Sequence, residues 1–430
     1  MRHVILGAGP AGVIAAETLR KHSPADTITL IGDEREPPYS RMAIPYLLMG
    51  NVDEAGTYLR KDPDHYAKLK IDRQVALVDR VDVAGKTVAL SNGENISFDT
   101  LLIATGSHPL RPPIPGLDSD GVHPCWTLAD ARAIMKLALK GARVLQLGAG
   151  FIGCIIMEAL AARGVQLTVV EMGDRMVPRM MGPTAGGMIR DWVQAKGVQV
   201  YTGTKVTSIT PGTPLTVHLS NGQALQADLV ISAAGVRPAI GFLKDSGISC
   251  LLGVLTDAHL QTNVPGIFAA GDCAEAFDKV SGKTMVSAIH PNAAEQARVA
   301  ALNMLAHSRG QAMKAELKGV TQINVLDTLG LVSTSFGDWQ GRPGGQQVEL
   351  TDSQAERHLS LQFQDDVLVG CNSVGWTEHV GVMRGLVEGQ VRLGAWKYAL
   401  LQDPTQLMPA YLASAQAQGE WSGAQDQRRR

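Results

Sequence analysis

The chain has 430 residues, 45% hydrophobic and 19% charged, enough for a large buried core and, by length, roughly two to three domains. A formal net charge of −2, from 39 Lys and Arg against 41 Asp and Glu, leaves no basic face for a phosphate backbone. Nucleic-acid binding is therefore not expected, and the final Arg428-Arg429-Arg430 does not change this.

The chain enters an apolar strand at once, His3-Val4-Ile5-Leu6, with no charged leader, apolar stretch and cleavage site. Residues 144–162 are the most apolar long stretch, but glycines and Glu158 interrupt them, so they read as strand, turn and helix rather than a membrane span. A cytoplasmic protein with no membrane partner is predicted. Cys125, Cys154, Cys250, Cys273 and Cys371 form no C-x-x-C or C-x-x-x-x-C pair. A redox disulfide between sequence neighbours and an iron–sulfur or zinc site of the usual spacing are excluded, so no metal site is expected, although distant cysteines can still meet in space. The plain reading of each is a small buried hydrophobe.

The first strand ends in Gly7-Ala8-Gly9-Pro10-Ala11-Gly12, and a helical pattern follows through Val13, Ile14, Ala16 and Leu19. Gly7 permits the tight turn, Gly9 lets a pyrophosphate approach the backbone, and Gly12 lets the helix pack on the strand, its N-terminus toward the anion. A second strand over residues 27–31 ends at Gly32-Asp33-Glu34, where an acid accepts from the adenosine ribose hydroxyls.

The unit then recurs. Residues 144–147 lead into Gly148-Ala149-Gly150-Phe151-Ile152-Gly153, a helix runs to about residue 163, and a strand over 165–170 delivers Glu171. Two dinucleotides on one chain are predicted. Glu171 repels a 2′-phosphate and favours NADH over NADPH, whereas Arg175, just behind Met172 and Asp174, is the residue that would favour the opposite choice. From about Gly319 the pattern changes to strands over 321–326, 331–336, 358–363 and 367–374, with turns at Gly344-Gly345 and Asp365-Asp366 and a helix near 380–391. The tail after Ala413 is polar, and its last dozen residues are expected to be disordered. Trp339, Trp376 and Trp396 read either as anchors for a protein partner or as core.

With these turns in view, the sequence resembles the two-dinucleotide-domain flavoproteins of the pyridine nucleotide-disulfide oxidoreductase superfamily. It is most similar there to ferredoxin and rubredoxin reductases, the flavin portion of NADH-dependent nitrite reductase, and NADH oxidases. Four further segments carry the match: Thr100-Leu-Leu-Ile-Ala104-Thr105-Gly106, Ala234-Gly235-Val-Arg-Pro238, Gly266-Ile-Phe-Ala-Ala-Gly271-Asp272-Cys273 and Ile289-His290-Pro-Asn-Ala-Ala294. The resemblance implies an α/β fold with two Rossmann-like dinucleotide-binding domains and a C-terminal α+β interface domain. The FAD domain would take residues 1–112 and 241–315, the inserted NAD domain 113–240, the interface domain 316–415 and a tail 416–430. The proline-rich segment Leu110-Arg-Pro-Pro-Ile-Pro-Gly116 suits such a boundary.

The same resemblance makes Arg41, in Pro37-Pro-Tyr-Ser-Arg41, a contact for the FAD pyrophosphate and Asp272 a partner of a ribityl hydroxyl. Val75 either offers backbone to the adenine or is strand core, and His290 either meets the flavin or only starts a helix. Phe151 is a candidate gate over the nicotinamide, with no catalytic side chain expected beyond it. Two departures narrow the chemistry. Met42 stands where thiol-using relatives carry cysteine, and Ile155 where many carry a glutamate near the nicotinamide. The implied function is hydride transfer between NAD(H) and FAD and single-electron exchange with an iron–sulfur protein or subunit, ferredoxin- or rubredoxin-like. A more particular version is the FAD subunit of a multi-subunit tungsten aldehyde oxidoreductase. The alternatives are an NADH oxidase reducing O2 and a redox-inactive dinucleotide-binding protein. The C-terminal region implies a homodimer or a place in a hetero-oligomer, or else a structural cap on the FAD domain.

Overall fold

A computed structural model describes residues 1–278, 280–320 and 323–416. The chain divides into two compact units, one formed by Met1–Leu110, Trp126–Leu128 and Val236–Val320, the other by Arg111–Cys125, Ala129–Gly235 and the chain from Thr321 onward.

The first unit is built on a parallel five-stranded sheet in the spatial order Ile267–Ala269, Thr100–Ile103, Arg2–Leu6, Thr27–Gly32, Ile71–Val75. Its central strands are largely apolar because both faces are covered, with His3, Thr29 and Thr100 as buried polar exceptions. Ile5, Leu30 and Leu102 face the helices Pro10–His22 and His290–Ser308, while Val4, Leu6, Ile31 and Leu101 face a second apolar layer. The helix Pro10–His22 forms because Pro10 presets its first turn, Ala11, Val13, Ala15, Ala16 and Leu19 share one buried stripe, and Arg20, Lys21 and His22 complement its C-terminal dipole.

The second unit repeats the plan with the order Gln199–Tyr201, Gln166–Val170, Arg143–Leu147, Leu229–Ser232, Val122–His123, all parallel. The helices Phe151–Ala162 and Pro183–Ala195 follow two of its strands.

The C-terminal part of this unit is an antiparallel sheet ordered Ile323–Thr328, Leu331–Gly337, Val367–Val374, Arg357–Gln364, Gln346–Asp352. Four of these strands lie within about two residues of their expected positions. The expected strand over 321–326 begins on Thr321 and Gln322, which lie outside the described residues. The fifth, Gln346–Asp352, was not anticipated: it is an exposed edge strand whose polar sequence carries little apolar alternation. The helix expected to reach 391 ends at Glu388, capped by Gly389 and followed by Gln390 at φ +47°. Beyond Gln416 the tail lies outside the described residues.

One face of this sheet is polar yet buried. The strand register puts Ser333, Ser335, Asn372, His358, Ser360 and Gln362 on the same side, and all six are buried. The helix Pro183–Ala195 packs on Val367–Val374, and the helix Phe151–Ala162 on Ile323–Thr328. No helix among the described residues is long and apolar enough to cross a membrane.

Candidate dinucleotide sites

In the first unit, Gly7 sits at φ +108°, and a Cβ there would lie 2.0 Å from the carbonyl oxygen of Ala104. A Cβ on Gly12 would lie 1.9 Å from the oxygen of Gly7. Both glycines are therefore required by the protein itself. Gly9 differs. Its backbone is extended (φ −78°, ψ −173°) and an added Cβ would meet nothing within 4 Å. The 13-residue helix Pro10–His22 starts there with no side-chain cap. Its first-turn N–H groups, those of Ala11 and Gly12 among them, have no side-chain cap, and with open space about Gly9 the cradle fits a pyrophosphate.

Around that turn, Ala104 donates its N–H to Leu6 O at 2.7 Å, and Thr105 Oγ1 donates to Ala239 O at 2.7 Å. Gly106 (φ +65°) has open space about its Cβ position. Gly271 (φ +83°) approaches Ala11, a Cβ there lying 3.2 Å from the alanine methyl. Asp272 accepts from Ser107 Oγ at 3.1 Å. Burial pushes its carboxyl up, and Ser107, Arg41 and His290 pull it partly back, which puts Arg41 and His290 within its electrostatic reach. His290 is the first residue of the helix His290–Ser308.

Asp33 is exposed, whereas Glu34 is engaged on both oxygens, by Tyr39 Oη at 2.6 Å and Arg41 Nη2 at 2.6 Å. Arg41 also donates to Tyr39 Oη at 2.9 Å and Trp126 O at 2.8 Å and lies over both rings. The expected phosphate arginine and ribose acid are thus held against one another. Each carboxylate oxygen keeps a lone pair for a further donor. Val75 pairs with Gly32 at the carboxyl end of its strand and is 46% exposed, so its reading as strand core is wrong.

The second unit repeats the pattern. Gly148 (φ +94°) would place a Cβ 2.4 Å from Ala233 O, and Gly153 one 2.5 Å from Gly148 O, while Gly150, extended, meets nothing within 4 Å. The 12-residue helix Phe151–Ala162 begins uncapped, with Phe151 and Ile152 half-buried in its first turn. Gly235 (φ +104°) follows the strand Leu229–Ser232. Glu171 is buried, 8% exposed, and accepts from Ala149 N at 2.7 Å and Gly173 N at 2.7 Å. Arg175 donates to Met181 O at 2.9 Å and Pro178 O at 3.3 Å and pairs with Asp174 at 2.7 Å. The residue that would have favoured a 2′-phosphate is committed to its own loop.

Three supporting residues escaped the sequence reading. Tyr39 lies inside the segment already singled out for Arg41. Gln146 interrupts the apolar strand before the second turn, and its amide donates to Gly148 O at 2.9 Å and Gly153 O at 3.0 Å; a polar residue there was the available signal. Gln296 Oε1 accepts from Gly271 N at 2.7 Å, and nothing in its helix distinguishes it beforehand.

Met42 is exposed in the short helix Arg41–Ala43. All five cysteines are free. Burial pushes the thiols of Cys125 and Cys154 up to about 12 and raises those of Cys250, Cys273 and Cys371.

Two parallel α/β units, each with an open glycine turn and an acid at the end of the next strand, define the two-dinucleotide class of oxidoreductase. Residues 1–300 match the family described as pyridine nucleotide-disulphide oxidoreductase. The chain belongs to that family and is a FAD-containing, NAD(P)H-dependent oxidoreductase. It is 30% identical over 391 residues, 90% of this chain and 91% of the other, to the NADH-dependent phenylglyoxylate dehydrogenase subunit epsilon of Aromatoleum evansii. It is 32% identical over 304 residues, 70% and 74% of the two chains, to the biphenyl dioxygenase system ferredoxin–NAD(+) reductase component of Paraburkholderia xenovorans (strain LB400). Its fold matches the crystal structure of the covalent putidaredoxin reductase–putidaredoxin complex with a TM-score of 0.85 at 24% identity, over 96% of this chain and 99% of that one.

Proposed function

We propose that the first unit holds FAD and the second NAD(H), with NADH preferred over NADPH, and that electrons leave to an iron–sulfur protein or subunit. When bound, the two groups supply hydride transfer and its division into single electrons. The residues supply position. Gly9 and the first turn of Pro10–His22 would hold the FAD pyrophosphate, Glu34 its ribose and Asp272 its ribityl chain, with Arg41 beside the phosphates. Gly150 and the first turn of Phe151–Ala162 would hold the second pyrophosphate, and Glu171 the ribose hydroxyls. With Arg175 tied to Met181 O and Pro178 O, that arginine is not offered to a 2′-phosphate.

The observation that carries the direct route to a partner is the state of the thiols. None of the five cysteines is paired, burial keeps all of them protonated near neutrality, and by resemblance Met42 stands where thiol-using relatives carry cysteine. Electron transfer without a thiol relay suits a reductase of ferredoxin type, and the likeness to the ferredoxin–NAD(+) reductase component of Paraburkholderia supports that reading. Membership of a larger dehydrogenase is supported by the likeness to the phenylglyoxylate dehydrogenase subunit of Aromatoleum. The test is anaerobic titration of the purified protein with NADH and then NADPH, followed by flavin absorbance, before addition of a ferredoxin. Stoichiometric bleaching by NADH, slower bleaching by NADPH and ferredoxin reduction are expected; no bleaching by either nucleotide would overturn the assignment.

A further inference from the structure

The loop between Glu171 and the helix Pro183–Ala195 is fastened at both ends. At its start, Gly173 N donates to Glu171 Oε1, and Val177 N donates to Ala149 O at 2.8 Å, the same residue whose N–H meets Glu171 Oε2. At its end the partner comes from far along the chain. Asn372, in the strand Val367–Val374, donates Nδ2 to Met180 O at 2.8 Å and accepts at Oδ1 from Gly182 N at 3.0 Å. Asn372 is 2% exposed. One amide thus spans the last residues of the loop, satisfying an acceptor at Met180 and a donor at Gly182. A second tie runs parallel to it, Trp192 Nε1 donating to Leu329 O at 3.1 Å.

We propose that Asn372 is a positioning residue for pyridine-nucleotide binding, and that the C-terminal sheet is through it a working part of the NAD(H) site. This rests on the reading that Glu171 and the Gly148–Gly153 turn hold NAD(H). Asn372 touches no nucleotide in this scheme. It fixes Met180 and Gly182, Arg175 fixes Met181 and Pro178, and the loop so held keeps Gly173 and Ala149 on the two oxygens of Glu171. Removing the side chain leaves buried backbone groups without partners, and the loop relaxes to regain them.

The test compares wild type with Asn372→Ala and with Asn372→Asp, measuring the NADH Kd, the KM-against-kcat split with a ferredoxin acceptor, FAD content and hydrogen exchange over residues 176–183. Asn372→Asp keeps the volume and the acceptor for Gly182 N but turns an oxygen toward Met180 O. Both variants are expected to raise Kd and KM for NADH about five- to thirtyfold, with kcat within about twofold, full FAD content and faster exchange in that segment. NADH affinity equal to wild type in either folded variant overturns the inference, as does a loss of kcat and FAD with KM unchanged. Failure of the wild type itself to take NADH overturns the assignment of the site and this inference with it.

Discussion

The phenol of Tyr39 donates to Glu34 at 2.6 Å and accepts from Arg41 at 2.9 Å, so one buried hydroxyl joins an acid and a base that belong to the same cradle. Burial and the Glu34 charge hold this phenol far above its ordinary range, with Arg41 opposing them, and it stays a donor at any working pH. Tyr39→Phe keeps the packing and removes the joint. FAD retention is expected to weaken roughly tenfold, the effect of about 1–2 kcal/mol for a lost charge-assisted bond. The flavin-to-protein ratio after dialysis measures it, and full retention would show that Glu34 and Arg41 need no third partner.

The glycines of the first turn separate folding from binding. Gly7→Ala combines a positive φ with a clash against Ala104 O and is expected to cost on the order of 4 kcal/mol or more. Gly9→Ala meets no protein atom and should change apoprotein stability by about 1 kcal/mol or less while abolishing flavin binding. Thermal melts of the apoproteins beside their flavin content decide this. A yellow Gly9→Ala protein would place the cofactor elsewhere.

Glu171→Ala removes the acceptor of two backbone donors, one of them the buried N–H of Ala149. KM for NADH is expected to rise about ten- to a hundredfold, and the NADH-to-NADPH ratio of kcat/KM to fall by a similar factor. Steady-state kinetics with both nucleotides read it directly; an unchanged ratio contradicts the discriminating role of this carboxylate.

Thiol-blocking reagents near neutral pH should leave NADH-driven electron transfer intact, because burial keeps Cys125 and Cys154 at about 12 and raises the other three. Inactivation by iodoacetamide in step with alkylation of one cysteine would restore a thiol mechanism.

Acid should weaken the fold through His3 and Asp26. His3 is buried, bonded to Thr100 Oγ1 at 2.7 Å and Asp26 Oδ2 at 3.1 Å, and burial, partly offset by Asp26, holds it below its ordinary 6.5. The unfolded chain binds that proton more readily than the folded one, so its contribution is full above 6.5 and declines as pH falls below it. Asp26 has the same sign. Burial alone would raise it, but hydrogen bonds from Ser23, the Met1 ammonium and His3 hold it well below 3.8, so its contribution is lost only at lower pH. Tm is expected to fall between about pH 7 and pH 5, with His3→Gln flattening that decline and Asp26→Asn flattening the one below about pH 4. A Tm independent of pH in His3→Gln and wild type alike would count against the His3 share.

What the sequence displayed was whatever steric necessity writes locally. Gly12 and Gly153 are forced by contacts within a single strand, turn and helix, Gly7 and Gly148 by the positive φ of the same turns as well as by the distant carbonyls of Ala104 and Ala233, and the acids Glu34 and Glu171 sit where the next strand must end. Residues whose role depends on chain far away left no such mark. Asn372 reads as one more polar residue in a strand, since its partners Met180 and Gly182 are some 190 positions earlier. Gln346–Asp352 was missed for the opposite reason, because an exposed edge strand needs no apolar alternation. Arg41 was found as a cation, but its neutralisation by Glu34 and its stacking on Tyr39 and Trp126 belong to tertiary packing.

The strand Ile267–Ala269 closes the outer edge of Thr100–Ile103 in the first parallel sheet. During synthesis, that edge stays unpaired until the ribosome has passed residue 269, by which time Arg111–Cys125 and Ala129–Gly235 have already emerged. The first sheet to be made is therefore among the last to be finished, and a nascent chain halted near residue 240 carries an apolar strand with open backbone groups. Chains truncated before residue 267 are therefore expected to aggregate more readily than the full-length protein.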